Sequence, residues 1–144
     1  MTAEPQQFPP THNTMQVNDL ELRFRAQLDQ LPIIRAIAGT IATQADFDLD
    51  AIADFRLAVD ETCSILITNA SSEGAMVCHF LIDSDELRFT GSVPTATGVP
   101  PEANVFGWQV NTTRTDSARS WITRNGHGET VHVELAKRKS TAGR

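Results

Sequence analysis

Hydrophobic and polar positions alternate strictly near the start of the chain. Leu20, Leu22, Phe24, Ala26 and Leu28 are separated by Glu21, Arg23, Arg25 and Gln27, the period-2 pattern of a strand with one wet face. From Pro32 onward the period lengthens. Ile34, Ile37, Ala38, Ile41 and Ala45 recur at helical spacing, and the proline suits a first helical turn. The acidic junction Asp46 to Asp50 then offers caps for a second helix, predicted over Leu49 to Ala70. At about 100° per residue, Ile52, Phe55, Val59, Cys63, Leu66 and Ala70 fall on one face. Asp54, Leu57, Glu61, Ile65 and Thr68 fall on the other. Such a helix packs its apolar face on a sheet and leaves the side carrying Glu61 for chemistry.

The second half of the chain returns to β-rich runs. Ala75 to Asp83 and Glu86 to Val93 are joined by Ser84 and Asp85, a connection suited to a hairpin. Pro94 to Asn104 is a loop by composition, and Val105 to Thr113 is a weak helix loosened by Gly107. Two further strands, Ser117 to Thr123 and Thr130 to Ala136, flank an Asn125-Gly126 turn signal. Helices bunched between strands and hairpins elsewhere predict an α/β fold, a two-layer sandwich with helices on one face of a mostly antiparallel sheet. At 144 residues the chain suits one core. A polar, Pro-rich tail is expected over residues 1–18, the folded domain over 19–137, and a basic tail over 138–144.

Composition narrows the function classes. The net charge of −6 argues against a nucleic-acid surface. No window approaches the roughly eighteen apolar residues of a membrane span, and the first eighteen residues do not read as a signal peptide. A cytoplasmic location is the expectation. Cys63 on the apolar helical face and Cys78 in a strand read as two reduced core thiols, and without a CxxC or clustered His they make a poor metal site. His127 and His132, five apart on a strand, fall on opposite faces and share no ligand sphere. Arg35 interrupts the apolar and small run Ile33 to Ala38, where an arginine ordinarily covers the core edge with its stem. Phe106, Trp108 and Trp121 read as core or interface filler, while an exposed Trp108 would be a candidate partner contact.

The run Arg56-Leu57-Ala58-Val59-Asp60-Glu61-Thr62-Cys63-Ser64, placed after a β–α start and a capped second helix, resembles the RsbW-type anti-sigma factors and serine protein kinases. These belong to the histidine-kinase-like ATPase superfamily, and the resemblance covers about Leu20 to Arg138. It implies ATP and Mg²⁺ as cofactors, with Glu61 as candidate general base. In the family an Asn four residues after that Glu helps hold Mg²⁺, because i and i+4 project side by side. Here the position is Ile65, so no metal ligand is expected there, and Asn69 lies one turn further on, roughly 80° round the helix from Glu61.

The family's adenine-reading Asp-x-Gly-x-Gly turn corresponds to Thr90-Gly91-Ser92, without the Asp, and the Gly-rich lid corresponds to Asn104 to Val110, keeping Gly107 beside Trp108. Asn69, Gly91 and Gly107 are the remaining candidate cofactor contacts, and nucleotide binding is expected to be weak or lost. The resemblance also implies partners: a sigma factor, an anti-anti-sigma antagonist, and a second copy in a homodimer, with Arg35 as candidate partner contact, beside Trp108 should that ring be exposed. The expected function is sequestration of a sigma factor, reversed by the antagonist. The alternatives are an active ATP-dependent serine protein kinase acting on the antagonist, and an α/β interaction domain with an unrelated partner.

Overall fold

The computed structural model describes residues 18–95, 105–126 and 128–140. The predicted terminal tails apart from their inner residues, most of the predicted 94–104 loop, and His127 lie outside the described residues. The elements run β1 (Asn18–Arg25), a 3-10 turn (Leu28–Gln30), α1 (Leu31–Gln44), α2 (Leu49–Thr68), β2 (Ala75–Ile82), β3 (Glu86–Thr95), α3 (Val105–Arg114), β4 (Ser117–Asn125) and β5 (Gly128–Arg138). The strands form one sheet in the order β1-β2-β3-β5-β4. Every pairing is antiparallel, so the fold is the predicted two-layer α/β sandwich.

Register explains the core. Leu22, Cys78, Gly91, Val133 and Ser120 stand side by side across the five strands. Rows on this face carry Met76, Phe80, Leu87, Phe89, Val93, Val131 and Leu135, all buried. The helices lie against it through Ile34, Ala38, Phe55, Val59 and Leu66. Phe80 is the centre of an aromatic chain, 6.3 Å from Phe55 above it and 5.1 Å from Phe89 beside it. Cys63 and Cys78 are free and fully buried among these residues, as two reduced core thiols require, and burial raises the Cys63 pKa.

Gly91 is in the same row for a packing reason. A Cβ there would stand 3.0 Å from Leu66 Cδ1 and 3.2 Å from Met76 Cε, so a side chain at this position would press the Leu66 and Met76 side chains aside by a few tenths of an ångström.

Two expectations need correction. The first strand was expected to run to Leu28, but β1 ends at Arg25. The Ala26 amide still reaches Gly74 O, yet β2 begins only at Ala75, so the chain has no neighbour left and turns, leaving Leu28 exposed. The face of α2 that carries Glu61 was expected to be open, but Ile65 on that face is buried. The physical reason is α3, which packs along α2 and is tied to it by Arg114 to Asp54 at 3.0 Å.

The sheet's other face carries no helix among the described residues. There Trp121 stacks on His132 with ring centroids 5.1 Å apart, and the Arg119 guanidinium sits 4.5 Å from the Trp121 ring. The His132 ring is held at both ends, Nδ1 2.7 Å from Ser92 Oγ and Nε2 2.9 Å from Thr123 Oγ1.

Candidate functional site

The candidate site is organised by α2. Its start is fixed by Asp48, whose side chain accepts from the Ala51 amide at 2.8 Å, the N-cap expected of the acidic junction. The turn before it uses Asp46 at φ 65, a left-handed conformation that a short polar side chain tolerates. Its end is closed by Asn69, whose side-chain amide donates to Ile65 O at 2.9 Å while its carbonyl accepts from Thr95 Oγ1. Asn69 is therefore engaged as a helix end, about 12 Å along the axis from Glu61 at 1.5 Å per residue.

Glu61 is half-buried on α2, and its carboxylate makes no hydrogen bond or ion pair among the described residues. One position on, Thr62 is buried with its hydroxyl unpartnered among the described residues. Gly107 is buried in α3, and Trp108 is partly buried against the hydrophobic core rather than projecting from it. Gly91 is on the core face of β3 (above). The structure thus does not gather Glu61, Asn69, Gly91 and Gly107 into one polar cradle among the described residues. Neither does it supply a metal site, since no group of three or more His, Cys, Asp or Glu able to hold an ion occurs among those residues.

Mg²⁺–ATP fits this residue set poorly. The position that would present an amide oxygen to the metal is Ile65, apolar and 5% exposed. Asn69 has its amide nitrogen committed to its own helix, and Gly91 is filled against by Leu66, Met76 and Phe89. Of the residues the family resemblance singles out, the Glu61 carboxylate and the Asn69 side-chain oxygen carry no hydrogen bond among the described residues, and they stand about 12 Å apart along α2.

The other side of α2 is different. Arg35 of α1 reaches across to Asp60, with Nε at 3.2 Å and an Nη at 2.9 Å from the same carboxylate oxygen. The pair is only partly shielded, its side chains 41% and 25% exposed. Asp60 projects about 100° round the helix from Glu61, and that rotation is what turns it toward α1.

Around this pair the two helices leave a groove of about 370 Å³, lined by Arg35, Ala36, Gly39, Thr40, Thr43 and Gln44 from α1 and by Ile52 and Arg56 from α2. A shallower depression continues over Arg35, Ala53, Arg56, Leu57 and Asp60. Leu57 and Ile33 stand exposed on the same two helices, at 39% and 57%. Charged heads, stems and isolated apolar side chains together make a surface suited to protein contact.

Comparison with known proteins gives one consistent result. The chain is 34% identical over 107 residues to the anti-sigma-F factor RsbW of Mycobacterium tuberculosis, in strain CDC 1551 / Oshkosh and in strain ATCC 25618 / H37Rv. The alignment takes in 73% of this chain and spans 62% of the length of each relative. No family model matches the chain. No helix among the described residues is long and apolar enough to cross a membrane.

Proposed function

This chain belongs to the RsbW-type anti-sigma factor family, and from that premise we propose that it sequesters a sigma factor on the outer surface of α1 and α2 and surrenders it to an anti-anti-sigma protein that competes for the same surface. The observation that carries this reading is Arg35. The family resemblance makes it the candidate partner contact, and it is held by Asp60 at the edge of the groove between the helices, with Leu57 and Ile33 exposed on the same two helices. A guanidinium already oriented by a carboxylate loses less side-chain entropy when a partner adds a second acceptor. The apolar neighbours supply the area that excludes water around it.

In this reading nucleotide is bound weakly or not at all, and release depends on competition between partners rather than on phosphoryl transfer by this chain. The buried Ile65 and the packed Gly91 support it. A lost metal ligand and a lost purine contact each weaken binding by about 1–3 kcal/mol, which compounds to several orders of magnitude in affinity.

The test is a binding titration of the purified chain against the sigma factors encoded in the same genome. One of them is expected to bind, and Arg35→Ala is expected to weaken that binding about tenfold or more, the range of an interface hot spot. No binding by any sigma factor would overturn the reading.

The uncommitted Glu61 carboxylate favours a second reading, an active serine protein kinase with Glu61 as base. Calorimetry with Mg²⁺–ATP decides between them. The sequestration reading expects no saturable heat at millimolar nucleotide, whereas micromolar binding with phosphorylation of an antagonist that Glu61→Ala abolishes would establish the kinase.

A further inference from the structure

The geometry points to Arg56 as a specificity-determining contact, a guanidinium seated on Gly39 that takes a carboxylate from an acidic segment of the sigma factor. This rests on the reading that α1 and α2 form the docking surface. Three arginines lie on the helical layer among the described residues. Arg35 is bound to Asp60 and Arg114 to Asp54, whereas Arg56 is exposed and has no ion pair or hydrogen bond among those residues. In a chain of net charge −6, a cation with so many carboxylates available and none against it is poised for an anion from outside.

Gly39 supplies the second observation. It sits in the middle of α1, where glycine costs about 1 kcal/mol relative to alanine, and it is not among the residues of positive φ, so the backbone does not require it. What it provides is room for the Arg56 stem. A Cβ at position 39 would stand 2.8 Å from Arg56 Cδ and 3.3 Å from both Cγ and Nε. The bare helix surface lets the Arg56 stem lie across α1 and holds the guanidinium over the groove.

The groove floor is made to match. Thr40 and Thr43 donate their hydroxyl protons back to Ala36 O and Gly39 O, which removes them as competing donors and leaves the guanidinium as the groove's charged donor beside Arg35. A planar carboxylate accepts two parallel N–H bonds from such a fork, and an acidic partner meets complementary charge here in a molecule that elsewhere repels it.

The test uses the sigma factor that the wild-type chain binds, titrated at low and moderate salt against Arg56→Gln, Arg56→Lys and Gly39→Ala, with Arg35→Ala as reference and circular dichroism to establish folding. Arg56→Gln is expected to weaken binding about tenfold and to flatten its salt dependence. Arg56→Lys keeps the charge without the fork and is expected to recover only part of the loss. Gly39→Ala leaves every charge in place but removes the seat, and is expected to weaken binding several-fold while the helix content holds or rises. Charge reversal by Arg56→Glu, restored by a Glu→Lys change in the sigma factor, identifies the carboxylate. If Arg35→Ala weakens binding while Arg56→Gln and Gly39→Ala bind within twofold of wild type with the same salt slope, this inference falls and the docking reading stands. If the wild-type chain binds no sigma factor, both fall.

Discussion

Asn111 is fully buried, and neither its side-chain oxygen nor its nitrogen has a hydrogen-bond partner among the described residues. A buried amide left unpaired costs about 1–3 kcal/mol of desolvation, so Asn111→Leu, which keeps the branching and number of side-chain heavy atoms but adds bulk that offsets part of the gain, is expected to stabilise the protein by up to that amount. The check is a urea midpoint that rises with an unchanged slope. A fall would mean that the amide has a partner on the helical layer that the substitution removes. Position 111 carries no warning in the sequence, because an asparagine in a weakly helical stretch reads as surface. Gly91 misleads in the opposite way. Beside a strand end it suggests a nucleotide turn, and only the register, which sets it between Cys78 and Val133 under Leu66, shows a residue selected for helix–sheet packing. Cys63 and Cys78 were legible as core thiols, because their strand and helix periodicities both point inward.

At the scale of elements, α1 and α2 were readable nearly to the residue, down to Pro32 in the first turn and an acidic cap at Asp48, because caps and apolar period are local signals. The two faces of α2 were not. A helical wheel identifies a stripe that packs on the sheet but is silent about a second neighbour, and here α3 covers Ile65 while α1 covers the opposite flank. The Arg35–Asp60 pair joining α1 to α2 separates structure from recognition. Both side chains are well solvated, and exposed ion pairs contribute about 0–1 kcal/mol, with core residues such as Ile34, Ala38 and Phe55 holding the helices down. Arg35→Ala is therefore expected to change the unfolding free energy by less than about 1 kcal/mol while sigma-factor affinity falls about tenfold. A parallel loss of both would make Arg35 a structural tie and move the contact elsewhere on the surface.

For the whole molecule, the element order was enough to give the layered architecture, since hairpins force antiparallel neighbours. The placement of β5 between β3 and β4 came only from the structure, and with it the cluster on the uncovered sheet face. Val131 and Val133 point into the core, so His132 between them points away from α1 and α2. There partial burial lowers its pKa from the ordinary 6.5. The unfolded chain consequently takes up the proton at higher pH than the folded one, so the stabilisation is complete above about pH 6.5 and is lost as pH falls through the folded value. Urea midpoints measured from pH 7.5 down to 5 are expected to drop more steeply for wild type than for His132→Gln, the carboxylates contributing alike to both, and equal slopes would show that the ring titrates as it does in the unfolded chain. Because the imidazole lies on the face opposite the helices, the same substitution is expected to leave sigma-factor affinity unchanged wherever both proteins are fully folded. A change in affinity there would extend the partner's footprint to the sheet.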